Sequence, residues 1–169
     1  VTTPALAPAS PAPRPALWPW LLAAAAIALL DQASKWAVVA RWHYAERVKL
    51  LPGFDLTLLY NPGAAFSFLA DAGGWQRWFF TALAATAALF IIWLLHRHRG
   101  QRRFNLALAA ILGGAVGNLI DRSVHGHVVD FLLFYWRDWY FPAFNLADTA
   151  ISSGAALLIA DELLRARRR

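Results

Sequence analysis

Four aspartates in apolar surroundings are the residues of this chain best suited to chemistry. Asp31, Asp121 and Asp148 lie inside long hydrophobic runs, and Asp130 follows Val128-Val129 and precedes Phe131. An acid at the centre of a membrane helix costs about 2.5–3.5 kcal/mol on insertion scales, so several of them need a compensating use. Two carboxylates sharing one proton supply such a use. One takes a proton from water while the other protonates the carbonyl oxygen of the bond being cut. Asp121 has Arg122 beside it, which favours its ionised form, whereas the nearest cation to Asp130 in sequence is Arg137. An acid in an apolar setting near a second carboxylate holds its proton more tightly. Asp130 and Asp148 are therefore the expected dyad, with Asp121, held by Arg122, as a support.

Other polar residues keep helical company with these acids. Asn118, Asp121 and Arg122 fall at i, i+3 and i+4, and Asn145 and Asp148 at i and i+3, so each group shares one helix face. Asp31 and Lys35, at i and i+4 with the acid first, are spaced for a structural ion pair. Gly113 and Gly117 form a GxxxG, which lets another helix approach closely. Rival chemistries find little support. The chain has no Cys, which excludes disulfides, thiolate zinc sites and a thiol nucleophile. There is no HExxH, and His125 and His127 read as a polar loop pair. No metal or cofactor is expected, and no serine has a His–Asp arrangement that sequence can show.

The elements that must position these groups are membrane helices. Hydrophobic residues make up 59% of the 169 and charged residues 15%, too apolar for a soluble fold of this size. The mean hydropathy of +0.43 agrees. Apolar runs at 17–40, 75–95, 104–121 and 144–164 are each near the roughly 20 residues that cross a bilayer, the third being the shortest. Arg14, the group Arg97, Arg99, Arg102 and Arg103, and the tail Arg165, Arg167, Arg168 and Arg169 fall on one side of four spans. The positive-inside rule makes that side cytoplasmic. The net charge of +6 is thereby explained without nucleic acid. Trp18, Trp20 and Trp93 at inner ends, and Trp36, Trp42, Trp75 and Trp78 at outer ends, form two aromatic belts.

Counted from the basic ends, Asp31 is 17 residues after Arg14, Asp121 is 18 after Arg103, and Asp148 is 17 before Arg165. At about 1.5 Å per residue all three sit roughly 25–27 Å from the inner edge, near the outer face. Two longer segments lie outside. In 41–74 the alternation of Phe54, Leu56, Leu58 and Tyr60 with polar residues, and the turn Pro52-Gly53, predict a short strand or hairpin. The aromatic run 131–142 is too short to span and is expected to lie in the outer interface.

The expected fold is an all-α integral membrane protein with four transmembrane helices, a small extracytoplasmic β element and an interfacial periplasmic segment. Residues 1–16, rich in Pro and Ala, read as a disordered tail, 17–164 as the membrane domain and 165–169 as a basic cytoplasmic tail. The absence of Met points to a trimmed start, or a non-standard start codon read as Val1.

The motifs DQASK (31–35), NPGAAFSF (61–68), GGAVGNLIDR (113–122), HVVDF (127–131) and FNLADTA (144–150) resemble, in order and spacing, those of bacterial lipoprotein signal peptidase, signal peptidase II. The likeness runs from about residue 17 to 160. It implies an aspartic peptidase of the bacterial inner membrane with four spans, both termini cytoplasmic and an active site near the periplasmic face. Such an enzyme cuts lipid-modified prolipoproteins just before a diacylglyceryl-modified cysteine. The resemblance places the catalytic aspartates on Asp130 and Asp148. It puts supporting residues on Asn61, Asn118, Arg122 and Asn145, with Asp31, Lys35 and Asp121 also at motif positions. Pro62 stands where that family more often has Thr. The expected partners are prolipoproteins and membrane lipids, and a monomer suffices. A proton-coupled transporter would hold its acids near the midplane, and a scaffold would have no reason to gather them at one level.

Overall fold

The computed structural model describes residues 15–63 and 75–167. The tail 1–14 and residues 64–68 of the NPGAAFSF motif lie outside these. Helix α1 (Trp18–Val39) opens with Pro19 in its first turn, where a missing N–H costs nothing. It is followed by the strands β1 (Arg47–Leu51) and β2 (Phe54–Asn61), then the helices α2 (Trp75–Arg97) and α3 (Arg102–Val124). Next come β3 (Val128–Trp136), β4 (Trp139–Tyr140) and α4 (Leu146–Ala166). Helices α1, α2 and α3 are long and apolar enough to cross a membrane.

Helix α3 is the centre of the bundle and packs against the other three. Small residues permit this. A Cβ on Gly113 would meet the backbone oxygen of Ala24 on α1, and one on Gly114 would strike the backbone of Ala147 on α4. The third span was expected at 104–121 as the shortest, yet α3 has 23 residues, as many as α2. Its polar Asn105, Asn118 and Asp121 are buried, so they lower the hydropathy of the run without ending the helix.

The strands form one antiparallel sheet in the order β1-β2-β3-β4. The expected hairpin is there, with Leu51 opposite Phe54 across a turn at Gly53, whose φ is +84°. The aromatic run expected as an interfacial segment has a regular secondary structure that its sequence did not show. It forms β3 and β4, with β3 hydrogen-bonded along β2. The reason is the backbone: a lone extended segment at a membrane face leaves its N–H and C=O groups unpaired, and β2 satisfies them.

The interior is layered. Ala24, Ala88, Ile91, Leu95, Leu108 and Leu112 form one apolar cluster, and Val38, Leu58, Val129 and Phe131 a second beneath the sheet. Along α1 the buried Asp31 and Lys35 lie between them. Large apolar side chains such as Leu29, Leu89 and Ile159 point outward instead, as lipid-facing residues do. Most of the tryptophans expected in belts are exposed, but Trp20 and Trp42 pack against the two apolar clusters.

Candidate active site

Lys35 is the hub of the polar layer. Its Nζ lies 2.7 Å from Asp31 Oδ2 and 2.9 Å from Asp121 Oδ2, and donates to Asn118 Oδ1 at 2.9 Å. The expected Asp31–Lys35 pair is thus one edge of a cluster that ties α1 to α3. Asp31 also reaches α4, where its Oδ1 accepts the backbone N–H of Ala147 at 2.8 Å. That N–H is among the unpaired donors of the first helical turn, and a carboxylate there is favoured by the helix dipole. Asp121 reaches the sheet, accepting from Val129 N at 3.2 Å. Two of the three acids counted to one depth along the chain, Asp31 and Asp121, therefore meet around a single ammonium.

Asn118 passes this arrangement on. Because a lysine only donates, the amide oxygen of Asn118 faces Lys35, and its Nδ2 donates to Asp148 Oδ1 at 2.8 Å. Asn145 caps α4 with a reciprocal box. Asp148 N donates to Asn145 Oδ1 at 2.9 Å, and Asn145 N donates to Asp148 Oδ2 at 3.3 Å. With its oxygen so engaged, Asn145 turns Nδ2 toward Asp130 and donates to Oδ1 at 2.7 Å. The other oxygen of Asp130 accepts from Asn61 Nδ2 at 3.1 Å. Asn61 is oriented in turn by Gly63 N, which donates to its Oδ1 at 2.9 Å. Asp130 and Asp148 are thus both held by one buried asparagine.

Burial pushes the Asp130 carboxyl up to about 7, and the charge of Asp148 acts in the same direction. The hydrogen bonds from Asn61 and Asn145, and the charge of Lys35, oppose that rise. The His127 ring lies against Tyr60, tilted at 52° with the centroids 4.4 Å apart, and burial holds its pKa below the ordinary value.

The pairing expected between Asp121 and Arg122 is not what the fold makes. Adjacent residues on a helix do not face each other, and Asp121 takes Lys35 as its cation. Arg122 interacts electrostatically with Asp148, Asp130 and Asp121 without forming an ion pair among the described residues, and lies over the ring of Phe80 at 5.6 Å. Two polar residues escaped the sequence reading. Gln32 donates to Asp121 Oδ1 at 2.8 Å and to Gly117 O at 3.1 Å. Arg77 donates to the terminal carbonyls of α3 at Arg122 and Ser123, at 2.9 and 2.8 Å. Gln32 stands within the DQASK motif, where its place beside Asp31 was a usable signal. Arg77 carried none.

Beside Asp148 opens a cavity of about 520 Å³, lined by Phe134, Trp139, Phe141 and Phe144 of the sheet region and by Thr149, Ser152 and Ser153 of α4. The carboxylate thus stands at the edge of an aromatic groove. The family model for signal peptidase (SPase) II matches residues 23–164. The chain belongs to the signal peptidase II family. It is accordingly a protease of a bacterial membrane, from a family that processes lipoproteins. The proteins named lipoprotein signal peptidase in Cupriavidus necator and Ralstonia nicotianae are 58% and 59% identical to it, over 88% and 89% of this chain and 85% and 87% of theirs. That of Burkholderia thailandensis is 58% identical over 90% of this chain and 92% of its own. The signal peptidase II fold is also similar to a bacterial membrane enzyme solved by the in meso method at 2.3 Å resolution. The TM-score is 0.80 at 24% identity, covering 92% of this chain and 94% of that one. A second such structure, at 1.9 Å resolution, gives 0.78 at 24% identity, covering 89% and 96%.

Proposed function

We propose that this chain is an aspartic endopeptidase that removes the signal peptide of diacylglyceryl-modified prolipoproteins, cutting just before the lipidated cysteine. The observation that carries the reading is the shared asparagine. Asn145 bonds Asp130 through its side chain and Asp148 through its backbone, so both carboxyls border one small space.

In the resting pair Asp130 holds the shared proton and Asp148 is ionised. Asp148 takes a proton from a water, whose oxygen attacks the scissile carbonyl carbon, and Asp130 protonates the carbonyl oxygen. Collapse of the tetrahedral intermediate returns that hydroxyl proton to Asp130. The proton held by Asp148 goes to the departing amine of the lipidated cysteine. Asn61, Asn118 and Asn145 orient the carboxyls, while Asp31, Lys35 and Asp121 clamp the helices carrying them. Arg122 contributes its charge nearby. The aromatic groove beside Asp148 suits the apolar substrate, and no metal or cofactor enters any step.

The topology proposed is four spans in the inner membrane, with both termini cytoplasmic. Helix α4 has 21 residues, about 31 Å at 1.5 Å each, and shows Ile159, Leu163 and Leu164 to its surroundings. The membrane domain is 17–164, flanked by the tails 1–16 and 165–169, and acts as a monomer.

The test is purified protein incubated with a lipidated prolipoprotein. Asp130→Asn and Asp148→Asn should each lower cleavage by at least about 10²–10⁴-fold with unfolding behaviour retained. Cleavage kept by either folded variant would refute the dyad and promote Asp121.

A further inference from the structure

The end of the bundle opposite the carboxylates holds another cavity, this one polar, of about 650 Å³. It is lined by Pro15, Trp93, His96, Arg97, Arg99 and Gly100. We propose that it is a binding site for the phosphate headgroup of an anionic phospholipid in the leaflet facing the 97–103 loop, a role that rests on the membrane reading but on neither aspartate.

Three observations point to an anion. First, the cavity contributes two guanidiniums and no carboxylate, and neither Arg97 nor Arg99 has an ion-pair partner among the described residues. Second, the Nε of Arg99 is closed off from solvent with no acceptor among the described residues. A buried N–H of a charged group left in this state is costly, and a phosphate oxygen would satisfy it. Third, Arg99 Nη2 lies 2.7 Å from His96 Nδ1, and arginine only donates. The imidazole proton is therefore on Nε2, which gives the site a further donor.

Lipid rather than free phosphate is favoured by Trp93. Its exposed indole lies beneath Arg97, whose guanidinium carbon is 6.0 Å from the ring centroid. Tryptophan at a helix end marks headgroup depth, so the arginines stand at the level of the lipid phosphates. A neighbouring cavity on the same side, lined by Asp161, Glu162 and Arg165, is unlike it. There Arg165 is already paired with Asp161 at 2.7 Å.

Native mass spectrometry of the full chain, delipidated and then titrated, tests the site. The probes are phosphatidylglycerol, phosphatidylcholine and diacylglycerol, each with and without millimolar inorganic phosphate. One phosphatidylglycerol should bind in preference to the other lipids. Arg97→Gln/Arg99→Gln should weaken it at least about tenfold, since two cations facing the anionic headgroup are removed. The charge-matched Arg102→Gln/Arg103→Gln should bind as wild type does. Equal loss in both double variants would mean diffuse attraction and overturn the site. Displacement by millimolar phosphate would overturn the lipid assignment. If the first double variant does not fold, Arg99→Lys serves instead. It keeps the charge but not the forked donors, and unchanged affinity there would overturn the role given to Nε.

Discussion

Asparagine is the residue type that organises this site. Asn61, Asn118 and Asn145 each have their amide oxygen engaged, by Gly63 N, Lys35 Nζ and Asp148 N respectively, which turns each NH₂ toward a carboxylate. Their amide orientation is therefore set by donors that cannot reverse roles. The pH dependence follows from Asp130. Unfolded, an aspartate loses its proton near pH 3.9, whereas folded Asp130 keeps it to about 7. Between those values the folded state binds more protons, so this contribution to stability is complete below about pH 4 and is lost as pH rises through 7. If Asp130 is the proposed general acid, kcat/KM for cleavage should fall above about pH 7. Asn61→Ala removes a bond to the ionised form, so the alkaline limb should move upward. A downward or unmoved limb would contradict the role given to Asn61. Lys35→Met leaves Asp31 and Asp121 buried without their cation and should cost about 3–5 kcal/mol in denaturant unfolding in detergent.

At the scale of elements, the site depends on how closely α3 meets α1 and α4. A Cβ on Gly117 would stand 2.5 Å from Asp31 Oδ2, so the absence of a side chain there makes room for the carboxylate that Lys35 binds. Gly114 faces the backbone of Ala147, which has no flexible end to move aside. Gly114→Ala should therefore lower stability by about 1–3 kcal/mol and reduce cleavage by shifting the helix that carries Asp148. Gly100→Ala meets nothing within 4 Å and is the control, with an unchanged melting temperature in the same detergent. The sheet was half legible beforehand. Alternation in 54–60 and the Pro52-Gly53 turn pointed to the hairpin, but 131–142 reads as an interfacial segment because its aromatics fall on both faces. Pairing with β2 turns it into a strand and brings Asp130 opposite Leu59, two residues from Asn61.

For the whole molecule, the carboxylates and the sheet occupy one end and the 97–103 arginine loop the other. With no native Cys, single cysteines report topology cleanly. Arg103→Cys should be labelled by an impermeant maleimide only in inside-out vesicles, and Asp138→Cys, in the β3–β4 turn, only in right-side-out ones. Labelling of both from one side would exclude the proposed topology. What the linear chain determined was its apolar character, its helices and the motif positions, since hydrophobic runs and i, i+3, i+4 spacing are local properties. The partners were decided by tertiary structure. Gln32 with Asp121 and Asp31 with Ala147 join residues 89 and 116 positions apart, and Asp121 meets Lys35 rather than its neighbour Arg122. Helical spacing says which side chains share a face, but which face meets which is chosen only when the glycines of α3 let the helices close.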